Sequence, residues 1–194
     1  MLISLQTSPT EEPVSLELAK EHCVIEGNED DGYLYEQIIA ARQFVELRCN
    51  RKLVRQKWRT YFDHGFAELP LLPYKVQEVE GIYYLDTDGA EQTLSSSVYT
   101  VDIPRQRVYL AYNQTWPATR TIRNAIWMDV WAGEYRTTDS PIDVLEDIPG
   151  PLRSDMLLLI GEMYKNREKT SDMAVHANET FDMLIAPYIH YARW

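Results

Sequence analysis

Histidines, cysteines and carboxylates carry most protein chemistry, and in this chain they are scattered along the sequence. The four histidines, His22, His64, His176 and His190, stand far apart. Only Asp63-His64 sets one beside a carboxylate, which reads either as an acid/base pair or as a turn at a strand end. Glu29-Asp30-Asp31 offers hard oxygen ligands suited to a divalent cation, but adjacent side chains at a helix start cannot all face one ion. Capping that helix is the stronger reading. The two cysteines, Cys23 and Cys49, lie in helical segments without a CxxC spacing and read as reduced core residues. Gly-rich phosphate loops, HExxH, GxSxG, EF-hand and zinc spacings are all absent from the sequence. That sets aside the locally coded catalytic classes; a nuclease or hydrolase built from acids distant in sequence stays open.

The most informative cluster is basic. Arg48, Arg51, Lys52, Arg55, Lys57 and Arg59 occur together without one acid, in a chain of formal net charge -11. On an extended strand Arg55, Lys57 and Arg59 share one face, and Val54, Gln56 and Trp58 take the other. Such a row is a solvated face, a contact between subunits, or a local nucleic-acid contact. The tryptophans Trp58, Trp116, Trp127, Trp131 and Trp194 exceed the usual need of a small core, so some are candidate interface anchors, although packing in the core of a β-sandwich is the default for Trp.

These residues need elements to position them. Ser15 is a helix N-cap, and Leu16, Leu18, Ala19 and Cys23 define a short helix over 15–26, closing near Gly27. Leu34, Ile38, Ala41 and Val45 recur at helical spacing and predict a second helix over 31–48. From 51 to 135 the texture becomes Val, Tyr, Trp, Thr and Ile broken by Pro, Gly and Asp, which is that of β-structure. Strands are expected at Leu53–Phe62, Gly81–Asp86, Gln92–Leu94, Tyr99–Asp102 and Arg107–Leu110, with an extended link at Leu69–Pro73. A longer strand is expected to place Ile122, Asn124, Ile126, Met128 and Val130 on one face, opposite Arg123, Ala125, Trp127, Asp129 and Trp131. Pro151 opens a third helix over 151–167, with Leu152, Met156, Leu159 and Met163 as its apolar stripe.

The fold class that follows is α+β: a small helical bundle of three main helices plus a C-terminal tail, with an inserted β-rich subdomain. Residues 1–50 supply the first part of the bundle behind a flexible N-terminal arm (Met1 to Pro13), and 51–135 form the insertion. Residues 136–170 supply a loop and the third helix, and 171–194 a docking tail. Leu34, Ile38, Val45, Leu152, Met156 and Leu159 are expected in one core. At 194 residues the chain is long enough for a sizeable core without metal or disulfide support. Met1 to Glu12 lacks the pattern of a secretory leader and no apolar run reaches about 20 residues, so the chain reads as soluble, cytoplasmic when made and independent of membrane. Its charge disfavours nonspecific grip on duplex DNA.

Taken in order, several segments resemble the head-tail connector (adaptor) family of tailed bacteriophages. They are Val14 to Lys20, Ile38 to Glu46, Leu53 to Trp58, the Leu-Pro-rich link, and the hairpin Tyr83 to Gly89 with Gln92 to Leu94. Trp131 to Tyr135 matches the family's Ala-Gly-Tyr region with Glu134 inserted, Ile148-Pro149 leads into a helix ending Tyr164 to Glu168, and Leu184 to Tyr188 closes the pattern. Ile189-His190 stands where the family often has Arg.

The resemblance implies a structural subunit without cofactor, metal or turnover. It implies a homo-oligomeric ring, commonly dodecameric in the family, located in the virion neck after assembly in the host cytoplasm. Its partners would be the portal protein above and a stopper or tail protein below, with double-stranded DNA passing through the lumen unbound. Arg55, Lys57 and Arg59 are then candidates for the subunit interface. The apolar tail, Phe181, Leu184, Ile185, Pro187, Tyr188, Tyr191 and Trp194, is a candidate for portal docking, since a free terminus rarely shows so much apolar surface to water; the alternative is that it folds back on its own bundle. A stopper or tail-completion protein is the alternative, and a phage enzyme the more distant one.

Overall fold

The protein is described here from a computed structural model, over residues 2–63, 68–72, 74–134, 148–167 and 179–189. It divides into two compact units, one of Met1–Pro9 with Arg55–Arg136, the other of Thr10–Val54 with Thr137–Trp194.

The first unit is all β in its described part. One sheet holds β1 (Leu2–Thr7), β2 (Gln56–Phe62), β8 (Ile126–Ala132), β4 (Val76–Leu85) and β5 (Glu91–Thr93), in the order β1-β2-β8-β4-β5. A second sheet orders β3 (Glu68–Pro70), β7 (Arg107–Leu110) and β6 (Tyr99–Asp102) as β3-β7-β6. All the paired strands are antiparallel. Val76, Ile82, Ile126, Met128 and Val130 of the larger sheet pack with Leu69, Leu71, Leu72 and Val108. Each such burial contributes roughly 1.5–3 kcal/mol, which is what fixes the register, because a one-residue slip would turn the whole set outward.

The second unit is helical. The helices are α1 (Leu16–Cys23), α2 (Asp31–Cys49), α3 (Gly150–Lys165) and α4 (Glu179–Ile185), followed by a 3₁₀ turn at Ala186–Tyr188. Ser15 caps α1 as expected, its Oγ accepting from the Leu18 N–H at 3.1 Å. α2 packs against α3. Leu34, Ile38, Val45, Leu152, Met156 and Leu159 are all buried. Glu46 is buried too, and its carboxylate accepts from Arg42 (3.2 Å), Lys52 (3.3 Å) and the Leu53 N–H (2.9 Å). It fixes the exit of the chain from α2, which ends at Asn50 in the left-handed conformation (φ 51°).

Several expectations need correction. The N-terminal segment is not a free arm: Leu2–Thr7 pairs along β2 from Leu2 against Tyr61 to Thr7 against Lys57. Leu53 and Val54 precede β2 and are buried within the helical unit's span. The Leu-Pro link is partly strand, since Glu68–Pro70 pairs with β7. The long strand begins at Ile126 because Asn124 takes a left-handed backbone (φ 57°) and its N–H is held by the Asp63 carboxylate at 2.9 Å. α1 closes at Val24 (φ 57°), before Gly27. Asp30 holds the N-cap position of α2 and Asp31 its first turn, but the Asp30 side chain makes no capping hydrogen bond. Asp30 accepts from the Tyr164 hydroxyl (2.6 Å) and Arg167 (3.1 Å), and Asp31 pairs with Lys20 at 2.7 Å, so they tie α2 to the ends of α3 and α1.

Candidate assembly interface

The basic row lies on the face of the larger sheet turned away from its hydrophobic core. Trp58, Thr60 and Phe62 take the core side of β2, so Lys57 and Arg59 must project from the other. On the neighbouring strand Lys57 stands opposite Trp131, Arg59 opposite Asp129 and Tyr61 opposite Trp127. The face is therefore built from alternating cations, acids and aromatic rings.

Arg59 grips Asp129 with two hydrogen bonds, Nε to Oδ1 at 2.6 Å and an Nη to Oδ2 at 2.9 Å. Lys57 reaches both Glu80 (2.8 Å) and Asp129 (3.4 Å). Arg55 crosses β8 to Glu78 (2.8 Å), its guanidinium 4.5 Å from the centre of the Trp131 ring. The Trp131 indole N–H donates to Glu80 at 3.0 Å, and Tyr83 stacks on Trp127 at 6.0 Å. Gly81 leaves the room for that tyrosine, since a Cβ there would come within 2.9 Å of its hydroxyl. Asp129 is only 2% exposed. Burial pushes its carboxyl upward, but the hydrogen bonds and charge of Arg59, then of Lys57, outweigh that and hold it below the ordinary carboxylate value. Arg59 and Lys57 are in turn held protonated, chiefly by their hydrogen bonds to Asp129 and Glu80.

All three cations are thus neutralised within their own sheet, and Arg59 in particular closes over a buried acid. The sequence grouped Trp127, Asp129 and Trp131 on one strand face but did not show that this face meets the cations. The signal was the bulk on both faces of that strand, which only a cross-strand register converts into contacts.

In the tail, Ile185 is buried, Leu184 and Tyr188 are half-buried and Pro187 is exposed, while the side chain of Phe181 and residues Tyr191 and Trp194 lie outside the described ones. Arg48 of α2 forms an ion pair with Asp182 of α4. Ile185 therefore anchors α4 to its own bundle and is not available as a free docking side chain, whereas Pro187 and Tyr188 stay accessible. Asp155 of α3 is buried beside this contact with its Oδ1 unpartnered, and burial raises its carboxyl to about 6 against the pull of Arg48 and with the push of Asp182.

Of the histidines, His22 packs over Gly161 of α3, while His64, His176 and His190 lie outside the described residues. The Asp63 carboxylate is engaged by the Asn124 backbone.

Residues 13–102 match the sequence pattern of the phage gp6-like head-tail connector protein family. The match spans a little under half of the chain. No curated protein sequence matches it. Among solved structures, this chain is similar to a chain in the neck of an empty gene transfer agent (GTA) particle computed with C6 symmetry. That similarity has a TM-score of 0.74 at 16% identity and covers 100% of this chain and 98% of the other. A chain in the neck of the native GTA particle computed with C12 symmetry gives 0.73 at 18% identity, covering 100% and 98%. A chain of the native GTA virion gives 0.72 at 17% identity, with the same coverage. At these identities the likeness establishes the fold, and it runs through both units of the chain.

Proposed function

We propose that this chain is a structural subunit of a phage or phage-like neck, a ring of copies seated beneath the portal and joining the DNA-filled head to the stopper or tail. The observation that carries the reading is the coincidence of the two comparisons. A connector sequence pattern over 13–102 sits within a fold shared, end to end, with subunits of GTA necks. The C6 and C12 symmetries of those necks support a cyclic assembly here. The role is architectural: the strongest charge cluster of the first unit is consumed in holding its own sheet, and a net charge of -11 suits a lumen through which DNA slides without being gripped.

Portal docking falls to the C-terminal segment, with Pro187 and Tyr188 as its accessible described residues and Phe181, Leu184, Tyr191 and Trp194 alongside them. The subunit contact falls to the sheet that carries Arg55, Lys57 and Arg59. Co-sedimentation of the purified full chain with purified portal rings, and separately with tail tubes, tests the assignment. Binding to portal supports it; binding to tail tube alone makes the protein a tail-side component.

A further inference from the structure

We propose that the proton on Asp155 sets the hold of α4 on its helical bundle: the helix is clamped while that carboxyl is neutral and loosened when it ionises. The device lies within the helical unit and operates whether or not the segment docks on portal.

α4 is seven residues long and packs on α3 and α2 with a slight grip. Ile185 is its one fully buried side chain among the described residues, and Met183 is 77% exposed. The ion pair of Asp182 with Arg48 of α2 is about half in water, where such pairs add little. Asp155 of α3 is buried beside that pair, with Oδ1 unpartnered among the described residues. A neutral carboxyl tolerates this site, whereas a carboxylate there has an oxygen with neither water nor a donor. Burial is accordingly the chief influence on its proton and raises its pKa to about 6.

The surrounding charges decide which element gives way. From α2, Arg48 attracts the carboxylate; from α4, Asp182 repels it. The Cys49 thiol of α2 also feels Asp155, but burial pushes it up to about 11 and it stays neutral. Arg42 and Glu46 are committed to each other, to Glu12 and to Lys52. α1 turns His22 to Gly161 of α3 and Lys20 to Asp31, and its Glu17 and Glu21 are exposed. An ionised Asp155 therefore draws Arg48 from Asp182 and pushes Asp182 away, so one charge both unpairs and repels α4. Lifting this short helix also brings water to the carboxylate at lower cost than opening the core of α2 and α3, where Leu34, Ile38, Val45, Leu152 and Met156 are buried. The clamped form has the raised pKa, so its advantage is full below the ordinary carboxylate value and lost as pH rises through about 6. α4, with Pro187 and Tyr188 beyond it, is held least firmly at neutral pH.

The test is amide hydrogen exchange read by mass spectrometry on the full chain, comparing wild type with Asp155→Asn at pH 5 and again at pH 7.5. Comparison at equal pH cancels the intrinsic rate of exchange, and any packing difference of the amide is the same at both. Peptides over 179–189 are expected to exchange faster in the wild type, by up to about 100-fold at pH 7.5 and by about tenfold less at pH 5. Peptides of α2 and α3 are expected to keep one ratio at both. A 179–189 ratio that does not change with pH overturns the proposal. So does a ratio that widens equally in α2 and α3, because Asp155 then acts on the whole bundle. Asp182→Asn, an exposed substitution, gives an independent reading: with the repelled charge gone, the pH dependence of exchange over 179–189 is expected to shrink from its wild-type size, and an undiminished dependence overturns the proposal as well.

Discussion

Asp129 and Asp155 are both buried carboxylates, and their surroundings give them opposite titration behaviour. Asp129, with Arg59 and Lys57 against it, has a lowered pKa, so it contributes stability above the ordinary carboxylate range that is lost as pH falls through its depressed value. Asp155 has its pKa raised to about 6 from 3.8. Its folded form holds the proton more tightly, so the contribution of Asp155 to the helical unit is most favourable at acid pH and is lost as pH climbs through that window. The loss is complete above about 6 and amounts to up to about 3 kcal/mol. Asp155→Asn is expected to remove that slope and raise the unfolding midpoint at pH 7, read from denaturant melts at pH 5 and pH 7. Arg59→Leu removes the two short hydrogen bonds to the buried Asp129 and leaves it the longer contact with Lys57, and is expected to cost on the order of 3 kcal/mol, against well under 1 kcal/mol for Arg55→Ala, whose partner Glu78 is half in water. For the same reason, reversing Arg55, Lys57 and Arg59 together to Glu would unfold the sheet before it reported on any interface.

At the scale of elements, α4 combines two roles that separate by substitution. Ile185→Ala removes the buried anchor and is expected to lower the melting temperature, at a cost of about 2–4 kcal/mol. Tyr188→Ala is expected to leave melting unchanged and to weaken capture by portal, measured by co-sedimentation. If Ile185→Ala leaves the melt unchanged, α4 is not part of the bundle's stability. Much of the bundle was legible in the sequence because helical periodicity is local: Leu34, Ile38 and Val45 announce α2, and Leu152, Met156 and Leu159 announce α3. Pro187 cannot extend an α-helix, and α4 accordingly passes into a 3₁₀ turn and then an extended residue at Ile189. What was not legible depended on distant partners. β1 pairs with a strand some 55 residues away and carries no strict alternation, so nothing within Leu2–Thr7 distinguishes it from an arm. The acid partners of Arg55, Lys57 and Arg59 sit on β4 and β8, and only the register brings them together.

For the whole molecule, protomers of net charge -11 repel one another, so a ring requires local contacts strong enough to overcome that at every junction. A fold common to GTA neck subunits over its full length, joined to a connector sequence pattern, makes the ring beneath the portal the central claim. The most direct measurement is electron microscopy of the purified full chain mixed with purified portal, classified by rotational symmetry. The expected image is a closed ring of connector copies seated coaxially on the tail-facing end of the portal. Bare portals beside free monomers, or rings that assemble only on the end of a tail tube, would contradict it.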